Sequence, residues 1–142
     1  ELLGHQRLSW VAAAGMELPR RALTPADIKQ LLILTNPSPS PTYSILRDWF
    51  ATHGLVPLKV STCSSLSSIK NVVVAGTGIG VLPTCVVEPE LAQGTLVELD
   101  VQPKLPDQEV FIAYPRGIPA RGVLKTIDIV RASIVRTGFV LE

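Results

Sequence analysis

The sequence predicts an α/β domain with mainly parallel strands, and three observations carry the prediction. Short apolar runs such as Leu31-Leu32-Ile33-Leu34 read as strands covered on both faces. Between them lie segments whose apolar residues recur three and four apart, as helices require. Two of these segments open on a Ser or Thr followed by Pro, Thr24-Pro25 and Ser40-Pro41, which is how helices begin after a strand. Strands alternating with helices in this way make an α/β sheet.

Taken in order, Leu8 to Ala13 reads as a strand with Trp10 partly covered, leading through Gly15 to Pro19. Thr24-Pro25-Ala26-Asp27 starts a short helix: a threonine cap, a proline at the first position and an acid at the positive end of the dipole. The Leu31–Leu34 strand follows, then Thr35 to Thr42, where three of eight residues are proline, so the segment is a loop. It ends by capping a helix with Ser40 or Thr42. Tyr43, Leu46, Trp49, Phe50 and His53 mark one face of that helix, and Gly54 ends it. Leu55 to Val60 reads as the next strand. Leu96 to Val101 alternates apolar and polar residues. After a turn at 103–107, Glu109 to Tyr114 is a strand with Val110 to Ala113 as its buried part. Val123, Ile127, Val130 and Ile134 stripe a last helix that Gly138 closes.

Two readings compete for residues 61–83, STCSSLSSIKNVVVAGTGIGVLP. In one, Val72 to Val74 is a buried strand and Gly76 to Gly80 a phosphate loop, which would make the protein a nucleotide-dependent enzyme. In the other, Ser64 or Ser65 caps a helix carrying Leu66, Ile69, Val73 and Gly76 on one face, and the strand Ile79 to Leu82 follows. The dinucleotide fingerprint needs a third small residue where Val81 stands. It also needs a helix to open at the glycines, against Pro83, Val86-Val87 and Pro89. These details favour the helix.

Read as a helix, SSLSSIKNVVVAGTGIGVLP followed by Leu91, Gly94 and Thr95 to Leu99 resembles the signature of LysR-type transcriptional regulators in their effector-binding domain. The flanks agree: Leu8-Ser9-Trp10-Val11, Glu17-Leu18-Pro19, Leu23 to Ile28, and a Ser-rich loop before an Ile-Leu-x-x-Trp-Phe helix. The resemblance implies a type II fold similar to the periplasmic binding proteins, two α/β lobes joined by crossover strands with a ligand cleft between them. On that mapping residues 1–19 end the first lobe and cross over, 20–95 form the second lobe, and 96–142 return and supply a strand and helix to a first lobe that is otherwise incomplete. The winged helix-turn-helix would precede Glu1, which is no start methionine, so the chain reads as a domain cut from a longer one. The resemblance also implies self-association into dimers or tetramers, and the two cysteines, read as reduced thiols, go with an expected cytoplasmic location. A solute-binding protein of a transporter, sharing the fold, is the alternative.

Composition narrows the rest. The net charge is +1 with no Lys/Arg stripe, so contact with DNA is expected only through an N-terminal domain absent from this chain. No apolar run approaches the roughly 20 residues of a membrane helix, and no secretion signal opens the chain. Cys63 and Cys85 suit neither a redox pair nor a zinc site and read as reduced, structural thiols. His53 belongs at its helix end, and Asp27, Asp48, Asp107 and Asp128 stand singly. No enzyme, cofactor or metal is therefore expected. Arg116 lies in a turn where an arginine is ordinarily solvated.

Ligands of such sheets bind at the carboxyl ends of strands. Two loops there, Thr35 to Thr42 and Ser61 to Ser65, end at capped helix starts that offer N–H groups, positive dipole ends and hydroxyls. We expect Ser38, Ser40 and Thr42 to face Thr62, Ser64 and Ser65 along one wall holding a small anionic effector. The resemblance points to the same segments. The competing expectation is that each cap oxygen serves only its own helix. Family members often place a basic residue near Tyr43, whereas here Arg47 is a turn further on, so an anion would lack that charge and a more neutral ligand is the alternative.

Overall fold

A computed structural model describes residues 1–114, 117 and 121–141; Arg116 falls outside them. In chain order the elements are β1 Leu2–Gln6, β2 Leu8–Ala13, α1 Pro25–Lys29, β3 Leu32–Thr35, α2 Pro41–Thr52, β4 Lys59–Thr62, α3 Leu66–Val74, β5 Ile79–Pro83, α4 Thr84–Gln93, β6 Leu96–Glu98, β7 Gln108–Phe111 and α5 Arg121–Arg136. They form two compact units: residues 8–106, and residues 1–7 together with 107–142.

The larger unit is one five-stranded sheet, order β4-β3-β5-β2-β6, with helices on both faces. Strand alternation sorts the core. Trp10, Ile33, Ile79 and Val81 pack with Ile28 of α1 and Leu46, Trp49 and Phe50 of α2. Val11, Leu34, Leu82 and Leu96 pack with Ile69 and Val73 of α3 and Val87 of α4. The expectation of mainly parallel strands needs one correction. β3 runs parallel to β4 and β5, as crossover helices require, but β2 joins β5 and β6 antiparallel, so the sheet is mixed.

The triple valine coils. Val72, Val73 and Val74 lie in α3, which Ser65 caps, and Gly76 (φ +80°) turns the chain into β5. With no strand before the glycines, the phosphate-loop reading fails on its first requirement. Gly78 is needed for another reason: a Cβ there would stand 2.5 Å from the Leu32 carbonyl oxygen, so the turn crosses the start of β3 at backbone contact.

Other elements differ from expectation in instructive ways. A helix does follow β5 despite Pro89. α4 is kept by burial of Val87 and packing of Leu91, and Gly94 ends it in the left-handed conformation (φ 76°). β4 starts four residues later than Leu55, because Leu55 N–H still bonds the Phe50 carbonyl at the end of α2 and ladder pairing opens only at Lys59 opposite Leu32. Trp10 is buried rather than partly covered, against Trp49 at a ring-centroid distance of 5.5 Å.

In the smaller unit β1 pairs antiparallel with β7, and Leu141 bridges back to His5. The Val110–Ala113 run is not buried: Phe111 is 59% exposed, since a two-stranded ribbon has too few neighbours to cover both its faces. Along α5, Ile127 is buried, Val130 and Ile134 are half-buried and Val123 is exposed.

Candidate effector site

Parallel pairing puts the carboxyl ends of β3 and β4 side by side, with Thr35 opposite Thr62. The ladder continues into the loops. Cys63 N–H donates to the Thr35 carbonyl at 3.1 Å, and the Asn36 carboxamide Nδ2 donates to the Cys63 carbonyl at 3.1 Å. The two segments singled out in the sequence are therefore neighbours, tied by their own backbone and by Asn36. That residue went unnoticed, because nothing in its spacing says which carbonyl it will meet.

From these strand ends the chain enters α2 and α3. Ser40 is the cap of α2, its Oγ accepting from Tyr43 N–H at 3.1 Å, and Ser65 caps α3, its Oγ accepting from Ser68 N–H at 3.3 Å. Both hydroxyls thus spend a lone pair on their own helix, yet each keeps its proton to donate outward. Ser38, Thr62, Ser64 and Ser65 are exposed, Ser40 is half-buried and Thr42 is buried in the first turn of α2. Arg47 pairs with Asp48 at 2.8 Å, and His53 is held through Nδ1 by the Trp49 carbonyl at 2.6 Å, its structural place at the helix end.

The same sheet end holds a cluster that sequence reasoning missed. Leu8 pairs with Pro83, so the start of β2 lies beside the carboxyl end of β5. Ser9, 1% exposed, bonds Glu98 Oε1 at 2.9 Å and Thr84 Oγ1 at 2.6 Å. A carboxylate can only accept, so Ser9 donates to Glu98 and Thr84 must donate to Ser9. A polar residue at an inward-facing strand position was the available signal. Among the described residues no cluster of three His, Cys, Asp or Glu has metal-binding geometry, and no helix is long and apolar enough to cross a membrane. Both cysteines are partly buried.

The arrangement can hold a small oxyanion by donors at helix starts, in a sheet whose parallel strands end together. Known proteins share the family and the fold. Residues 1–133 match the family model described as the LysR substrate binding domain. The chain belongs to that family. The HTH-type transcriptional regulator CbbR of Rhodospirillum rubrum is 35% identical over 92 residues, 65% of this chain and 31% of that protein. Among solved structures, the CcmR regulatory domain of Synechocystis PCC6803, in complex with 2-PG, superposes with a TM-score of 0.78 at 19% identity, covering 94% of this chain and 65% of that one. The regulatory domain of MetR from N. meningitidis gives 0.78 at 18%, covering 96% and 64%. The BenM effector-binding domain with its effector benzoate gives 0.67 at 21%, covering 99% and 65%. This LysR-family chain therefore spans about a third of CbbR and about two thirds of the solved domains, and it has the type II periplasmic-binding fold of effector-binding domains.

Proposed function

We propose that this chain is the sensing portion of a cytoplasmic LysR-type transcriptional regulator that binds a small anionic effector at the shared end of β3 and β4. The observation that carries the proposal is the bonded junction of the two loops, Cys63 to Thr35 and Asn36 to Cys63, which sets two Ser-capped helix starts at one sheet end. Ser38, Ser40, Thr42, Thr62, Ser64 and Ser65 are the proposed contacts. In this reading residues 8–106 comprise the second lobe with its crossover strands, and residues 1–7 with 107–142 belong to the first. Occupancy shifts the balance between lobe arrangements, and only through unequal affinity for them, so changing oligomer geometry on DNA held by an N-terminal domain. No step of this requires enzymatic chemistry.

Thermal unfolding tests the site. Ligands of related domains, 2-phosphoglycolate and benzoate, serve as first probes because both carry an oxyanion. A rise in midpoint with either, abolished in the Ser40→Ala/Ser64→Ala double variant measured against its own ligand-free midpoint, is expected. An undiminished rise in that variant would sink the assignment.

A further inference from the structure

Thr35 ends β3 at the junction just described, is 0% exposed, and its Oγ1 has no hydrogen-bond partner. A dry, unbonded hydroxyl is costly, whereas valine fills nearly the same space without that cost. The pleat says where the hydroxyl points. Ile33 packs toward Leu46 and Phe50 of α2, and Leu34 toward Ile69 and Val73 of α3. Thr35 therefore faces the α2 side, where buried Thr42 stands in the helix's first turn beside the Ser40 cap.

We infer that Thr35 is itself a ligand-contacting residue, its O–H held ready for an oxygen of a small anion that enters at the start of α2. The inference rests on reading that junction as the effector site, and it narrows the ligand class. Thr35 O–H, the proton left on Ser40 and the positive end of α2 all favour an acceptor, so the site takes a compact, deprotonated carboxylate or phosphate and discriminates against an ammonium group. Because Thr35 has no exposed surface, the atoms that cover its hydroxyl have to move aside for contact. Binding and that displacement are thereby one event.

Titrating inorganic phosphate and acetate into the 142-residue chain and into Thr35→Val and Thr35→Ser decides the matter, with affinity and ligand-free midpoint both recorded. Thr35→Val should melt no lower than the parent without anion yet bind the stronger anion about tenfold or more weakly, as loss of a hydrogen bond to a charged acceptor demands. Thr35→Ser should keep the parent's affinity to within about threefold, since it retains the donor. Undiminished binding in Thr35→Val overturns the inference while leaving the junction as the site, provided Ser40→Ala/Ser64→Ala weakens binding. If neither anion binds the parent chain, both readings fall together.

Discussion

At the residue scale, the most demanding positions are those where the backbone itself leaves no room. Gly78 stands where a methyl group would lie 2.5 Å from the Leu32 carbonyl oxygen and 3.1 Å from the Leu32 side chain. That obstacle is main chain and cannot swing aside. Gly78→Ala should cost about 1–3 kcal/mol through overpacking, read as a lower urea midpoint at unchanged slope. Gly15, with open space around its Cβ direction, provides the control, and Gly15→Ala should stay within about 0.5 kcal/mol of the parent. The glycine that looked like a phosphate-loop residue is thus explained by packing alone.

At the element scale, short helices survive because charge and caps hold their ends. α1 has only five residues, but Thr24 and Asp27 form a reciprocal capping box and Arg21 grips Asp27 at 2.7 and 3.0 Å. The Arg21 bonds, then those from the Thr24 N–H and hydroxyl, hold the Asp27 carboxyl well below the usual carboxylate range. Lys70 of α3, 2.7 Å from Glu90 of α4, likewise lowers the Glu90 pKa. Both folded-state values lie below their unfolded ones. Each contribution is therefore complete above the unfolded pKa, about 4, and is lost as pH falls through the folded value. Acid titration of stability should show it: Asp27→Asn and Glu90→Gln each lower stability at neutral pH and flatten the decline below about pH 4. A variant with the parent's acid slope would contradict the assignment.

On the scale of the whole molecule, β4 leaves one edge of the five-stranded sheet open. β4 is the outermost strand, all four of its residues are exposed, and Val56, Leu58 and Val60 are 74%, 60% and 38% exposed. Beside it a groove of about 280 Å³ is lined by Tyr43, Leu46, Phe50, Leu55, Val56 and Val60, among others. Unpaired backbone next to apolar side chains favours association. Sedimentation velocity over a concentration series should show reversible association of the chain. Leu58→Lys with Val60→Lys should move the distribution toward the monomer without lowering the melting point, whereas unchanged association would place the contact elsewhere.

What the amino-acid sequence determined by itself was local. A cap at Thr24, one at Ser40 or Thr42 and one at Ser64 or Ser65, the helical phase of Ile69 and Val73, and the strands around Trp10 and Ile33 all follow from preferences that act within a few residues; the structure then chose Ser40 and Ser65. The LysR signature was legible for the same reason, being a string of such local rules. Tertiary structure alone decided that α4 tolerates Pro89, that β7 stays exposed, and that β2 runs antiparallel in a mixed sheet. It also decided that Asn36 would meet Cys63, that Ser9 would bridge Thr84 and Glu98, and that the Thr35 hydroxyl would be buried unbonded. The reason is physical: burial and side-chain bonding depend on which strands lie side by side, and residues 27, 75 and 89 positions apart carry no mark of one another until the sheet is formed.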